Sequence, residues 1–73
     1  MGLASDFGKN VRAARHARGM TLEALAHEVG LAYSYLGELE RGRRNPTLKV
    51  VEQISEALDV SPIELLAQKR TVT

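Results

Sequence analysis

A three-residue joint limits what this chain can become. Leu22, Leu25, Ala26 and Val29 recur at helical spacing before Gly30-Leu31-Ala32, and Leu36 and Leu39 continue the pattern after it. So short a connection forces a sharp crossing of the two helices rather than an antiparallel hairpin. A sharp crossing needs a small residue where the second helix overlies the first, and Ala26 supplies it. It needs a turn residue that tolerates the left-handed region, and Gly30 supplies it. It needs apolar residues on both inner faces, and Leu25, Val29, Leu31, Leu36 and Leu39 fill them.

The rest of the chain reads as helix as well. No alternating β-branched run and no Asn-Gly or Asp-Gly turn appears. Helix 1 is predicted from about Ser5 to Arg18, with Phe7, Val11 and Ala14 as its stripe and Gly19 as its stop. Helix 2 starts after the N-cap Thr21, with Glu23 in its first turn, and ends at Gly30. Helix 3 covers about Tyr33 to Arg41, and Arg43-Arg44-Asn45-Pro46 is a loop. Helix 4 starts after Thr47 and reaches Leu58, with Leu48, Val51, Ile54 and Leu58 on one face. Ser61-Pro62-Ile63-Glu64 is a capping box with Pro at the first helical position, opening helix 5 from about Pro62 to Gln68. The 73 residues make a single all-α domain with a core of residues 5–68 and a tail, 69–73, expected to fray.

With no Cys, disulfides and Cys-built zinc sites are impossible, so association with a second copy is the expected support for so thin a core. His16 and His27 have no companion ligands at useful spacing and read as surface residues; no metal or cofactor is expected. No apolar run approaches the roughly 20 residues of a membrane span, and the first residues lack the core of a signal peptide, so a cytoplasmic protein is expected. No Ser/His/Asp arrangement, paired carboxylates or Gly-rich phosphate loop appears, so no enzyme is expected.

The net charge of +1 hides strong segregation. Lys9, Arg12, Arg15 and Arg18 carry residues 7–19, and Arg41, Arg43, Arg44 and Lys49 carry residues 41–49. Glu23, Glu28, Glu38 and Glu40 lie between them, and Glu52, Glu56, Asp59 and Glu64 follow. Such blocks can build a basic face on a nearly neutral protein.

The crossing at Gly30 is the helix-turn-helix pattern. With Gly19-Met20-Thr21-Leu22-Glu23-Ala24-Leu25-Ala26, Gly30-Leu31, Tyr35-Leu36, Leu39 to Thr47 and Leu58-Asp59-Val60-Ser61, the chain resembles the Xre family of Cro and lambda-type phage repressors over about residues 7–67. That resemblance implies a five-helix lambda-repressor-like domain that binds double-stranded operator DNA, usually as a dimer. Two positions depart from it: the family commonly has Gln where this chain has Leu22, and Ser, Thr or Asp where it has Ala32.

In a helix-turn-helix the second helix enters the major groove. The outward residues of helix 3 are then Tyr33, Ser34, Gly37 and Glu38. Ser34 suits a base edge, Glu38 a cytosine amino group, Tyr33 a thymine methyl or a phosphate, and Gly37 a close approach of the groove floor. The resemblance adds Arg44 as a further base reader. Arg41, Arg43, Asn45, Tyr35, Thr21 and the backbone of Leu22 are placed for phosphates. Lys9 and Arg12 read as solvated face residues. The resemblance also implies an ion pair between Arg15 and Glu40. Helices 4 and 5 carry more apolar residues than one small core holds, so Val50, Ile63, Leu65 and Leu66 are expected to form a homodimer interface. A protein-interaction module on the same fold, such as an antitoxin, would use the same apolar surface for a foreign partner.

Overall fold

The computed structural model describes residues 2–68; the expected fraying of the tail lies outside them. Among the described residues there are five helices and no strand: α1 Leu3–Ala17, α2 Leu22–Val29, α3 Tyr33–Glu40, α4 Leu48–Leu58 and α5 Pro62–Leu66. Three of the helix starts are fixed by local chemistry. Thr21 Oγ1 accepts from the Ala24 amide at 3.0 Å, and Thr47 Oγ1 accepts from the Val50 amide at 3.1 Å. Ser61 Oγ accepts from Ile63 at 3.1 Å while the Ser61 amide donates to Glu64 Oε1 at 3.0 Å, closing the capping box. α1 starts two residues before the expected Ser5, after an extended Gly2 that offers no side-chain cap.

α2 and α3 meet at Gly30, whose φ of 71° and ψ of 29° put it in the left-handed region. The Leu31 amide donates to the Ala26 carbonyl at 3.0 Å, so the turn closes the end of α2 before α3 departs. Ala32 makes no side-chain cap at the start of α3. α1 packs on α3 and α5, while α4 spans α2 and α5. Among the described residues, Phe7, Val11, Leu25, Ala26, Leu36, Leu39, Val51, Ile54, Leu58 and Leu65 form a buried core cluster.

The α1–α3 contact is backbone on backbone. A Cβ at Gly8 would collide with the Leu39 carbonyl oxygen and stand 2.6 Å from that of Glu40, so only glycine lets the two helices come this close. Two carbonyls at the end of α5 are held from α1: Asn10 Nδ2 donates to Leu65 O at 2.8 Å and Ala67 O at 2.7 Å. This staple turns Leu65 inward.

Leu65 therefore corrects one expectation. It is 1% exposed and belongs to the chain's own core, not to an interface. Ile63 points out at 78% exposure, and Val50 and Leu66 are half-buried against the core. No helix among the described residues is long and apolar enough to cross a membrane.

Candidate nucleic-acid interface

The outward side of α3 and the loop after it share one surface. Tyr33 and Ser34 stand exposed at its start, Tyr35 is half-buried, and Arg41, Arg43 and Arg44 are exposed at its end. Tyr33, Ser34, Tyr35, Glu38, Arg41 and Arg44 line a single cleft there. The Arg44 guanidinium lies 5.9 Å from the centroid of the Tyr35 ring, within cation–π range. A second cleft beside it is lined by Arg12, Arg15, Leu22, Tyr33, Gly37, Glu40 and Arg41. Arg12 thus joins this face, although its sequence reading gave it no contact. Its signal is the i, i+3 spacing to Arg15, which puts both on the side of α1 that packs toward α3.

Gly37 is not open to a groove floor. It is buried, with Leu22 Cδ2 and an Arg41 guanidinium nitrogen 3.5 and 3.6 Å from where its Cβ would stand. The reason is Leu22 itself, an apolar side chain that folds onto the glycine. The outward set of α3 is therefore Tyr33, Ser34 and Glu38. Thr21 is exposed and spends an oxygen lone pair on Ala24, which leaves its hydroxyl proton for an acceptor. Asn45, next to Arg44 in the chain, is exposed and lines an apolar groove with Leu3, Phe7, Pro46, Leu48, Val51 and Leu66.

Two carboxylates end α3, and their settings differ. Glu40 is turned inward: Arg15 Nε meets its Oε2 at 2.8 Å and Arg15 Nη2 its Oε1 at 2.9 Å, with side-chain exposures of 10% and 6%. The remaining Arg15 nitrogen, Nη1, donates to the Met20 carbonyl at 2.9 Å. These hydrogen bonds from Arg15 to Glu40 push the guanidinium pKa up, against the desolvation that lowers it. The pair ties α1 to α3 and to the chain entering α2, which fixes the attitude of α3. Glu38 is turned outward and pairs with Arg41 at 3.1 Å and Arg43 at 3.6 Å. The Arg41 hydrogen bond, with the charges of Arg43 and Arg44, holds the Glu38 carboxyl below its ordinary range. Sequence reading missed this pairing.

Known proteins share this fold. The sequence model of a helix-turn-helix family matches residues 11–65. The control protein C.BamHI of Bacillus amyloliquefaciens is 44% identical over 61 residues, covering 82% of this chain and 75% of that protein. The restriction-modification controller protein C.AhdI from Aeromonas hydrophila matches with a TM-score of 0.81 at 42% identity, over 85% of this chain and 94% of that one. The controller protein C.Esp1396I, solved as a tetramer in complex with its natural 35 base-pair operator, matches with a TM-score of 0.79 at 34% identity, over 89% and 86% of the two chains.

Proposed function

The chain belongs to the Xre-type helix-turn-helix family of transcriptional regulators, and on that premise we propose that it binds an inverted-repeat operator as a homodimer, with α3 in the major groove. The observation that carries this reading is the shared surface of Tyr33, Ser34 and Glu38 with three exposed arginines, Arg41, Arg43 and Arg44. Ser34 and Glu38 suit base edges, and Tyr33 suits a thymine methyl or a phosphate. Arg41, Arg43, Tyr35, Thr21 and the Leu22 amide at the start of α2 meet phosphates, and Arg12 joins them. Asn45, exposed in the same loop, belongs to that set. Arg44, stacked on Tyr35, reaches from the loop toward a base. The protein acts by binding, without catalysis, in the cytoplasm where operator DNA lies. The operator-bound tetramer of the relative C.Esp1396I supports an assembly of several copies on DNA.

The test is selection of bound duplexes from random DNA, followed by binding of variants. Recovered sites should share an inverted repeat whose halves lie about one helical turn apart. Ser34→Ala should change the base preferred within each half, costing about 1–3 kcal/mol on the selected site. Arg44→Ala should act in the same way at a different base. Enrichment of no sequence, with equal binding of all duplexes, would overturn sequence-specific recognition.

A further inference from the structure

Two of the three arginines after α3 are already occupied in the free protein. Arg41 Nη2 lies 3.1 Å from Glu38 Oε2, and Arg43 Nη1 lies 3.6 Å from the same oxygen. The backbone enforces the arrangement. Gly42 takes a φ of 74°, and the Arg43 amide then donates to the Glu38 carbonyl at 2.9 Å. This closure folds the loop back over the last turn of α3 and sets both arginines beside one carboxylate. Among the described residues Arg44 makes no such ion pair, and it lies over the Tyr35 ring, 5.9 Å from its centroid. A carboxylate oxygen shared by two guanidinium groups offers them the same kind of charged acceptor that a phosphate oxygen of DNA would.

We propose that Glu38 is a specificity-determining residue that acts as an internal substitute for phosphate, holding Arg41 and Arg43 back from non-operator DNA. The proposal rests on the DNA-binding reading above. On any duplex, contact of these arginines with the backbone must replace their contact with Glu38. The exchange also brings an unpaired carboxylate toward the charged groove. On non-operator DNA nothing offsets that exchange. On an operator, the freed carboxylate accepts a hydrogen bond from a base-edge donor, of which the cytosine amino group is the one available in the major groove besides that of adenine. The pairing therefore weakens non-specific binding more than specific binding. That ratio, rather than affinity alone, governs a regulator facing a genome of competing sites.

The experiment compares wild type, Glu38→Gln and the triple variant Glu38→Gln/Arg41→Gln/Arg43→Gln, each checked for a native circular-dichroism melt. The probes are a mixed-sequence duplex and a duplex recovered by selection with the wild-type protein. Glu38→Gln should bind the mixed-sequence duplex about tenfold more tightly at about 50 mM salt, with a log–log salt slope steeper by about one. Its binding to the selected duplex should not improve, so the ratio between the two duplexes falls about tenfold or more. The triple variant should lose the gain. Mixed-sequence binding by Glu38→Gln within about twofold of wild type, with the same slope, would overturn the proposal, as would a gain that survives in the triple variant. Failure of every variant and of wild type to bind either duplex at low salt overturns the DNA-binding reading itself, a separate outcome.

Discussion

Gly8 shows how much a single hydrogen atom in place of a side chain can decide. Alanine favours a helix interior over glycine by about 1 kcal/mol, and Gly8 lies within α1. Here the sign reverses, because the added methyl meets the backbone oxygens of Leu39 and Glu40 rather than a movable side chain. Gly8→Ala should lose about 1–3 kcal/mol in urea unfolding. A more stable variant would show that α1 and α3 can part without cost. Nearby, Arg15 and Glu40 form a shielded pair with each guanidinium nitrogen bonded. Glu40→Ala strands a buried cation and should cost about 3–5 kcal/mol. Removing both partners strands neither, so Arg15→Met/Glu40→Leu should unfold later than Glu40→Ala alone. Denaturant melts of single and double variants check the order, and a double variant no more stable than Glu40→Ala would mean the pair contributes net attraction rather than merely satisfying itself.

At the scale of elements, α5 is the least self-sufficient, having only five residues. It depends on the Ser61 and Glu64 capping box at one end and on Asn10 at the other. Ser61→Ala should cost about 1 kcal/mol. Asn10→Ala leaves two carbonyls to find water and should cost about 1–3 kcal/mol. Amide exchange should show α5 losing protection while the α2–α3 turn keeps its own; equal loss across all five helices would mean that α5 folds only with the whole. The helix starts were legible because Thr21, Thr47 and Ser61 state them within a few residues. The start of α1 was not, since Gly2 carries no capping group. Nor was the face of α5, because one turn and a half is too short for periodicity to separate Leu65 from Ile63. The contacts that build the site are less legible still. Leu22 over Gly37, Gly8 against α3 and Glu38 under Arg43 all arise from backbones meeting at angles that no local pattern records.

At the scale of the whole molecule, the question is what covers the apolar surface of α4 and α5. Leu48 is 83% exposed and Ile63 78%, while Leu66 is half-covered between them. Leu48, Lys49, Val51, Glu52, Pro62 and Leu66 line one continuous depression there. Lys49 beside Glu52 makes this surface self-complementary in charge, which suits a two-fold contact in which each patch meets its own copy. Burying an Ile side chain gives about 1.5–3 kcal/mol, and a two-fold axis counts each residue twice. Ile63→Glu should therefore weaken self-association by at least about a hundredfold, read by sedimentation equilibrium. Since Ile63 takes no part in the α1–α5 staple, the variant should keep its melt when examined as a monomer. Its DNA binding then separates assembly from recognition. A monomer still presents α3 and its arginines, so binding to mixed-sequence duplexes should hardly change. Binding to the two-half operator should fall toward that of one half-site, because the second α3 no longer arrives already linked. If Ile63→Glu leaves the sedimentation profile unchanged, copies do not meet across α4 and α5.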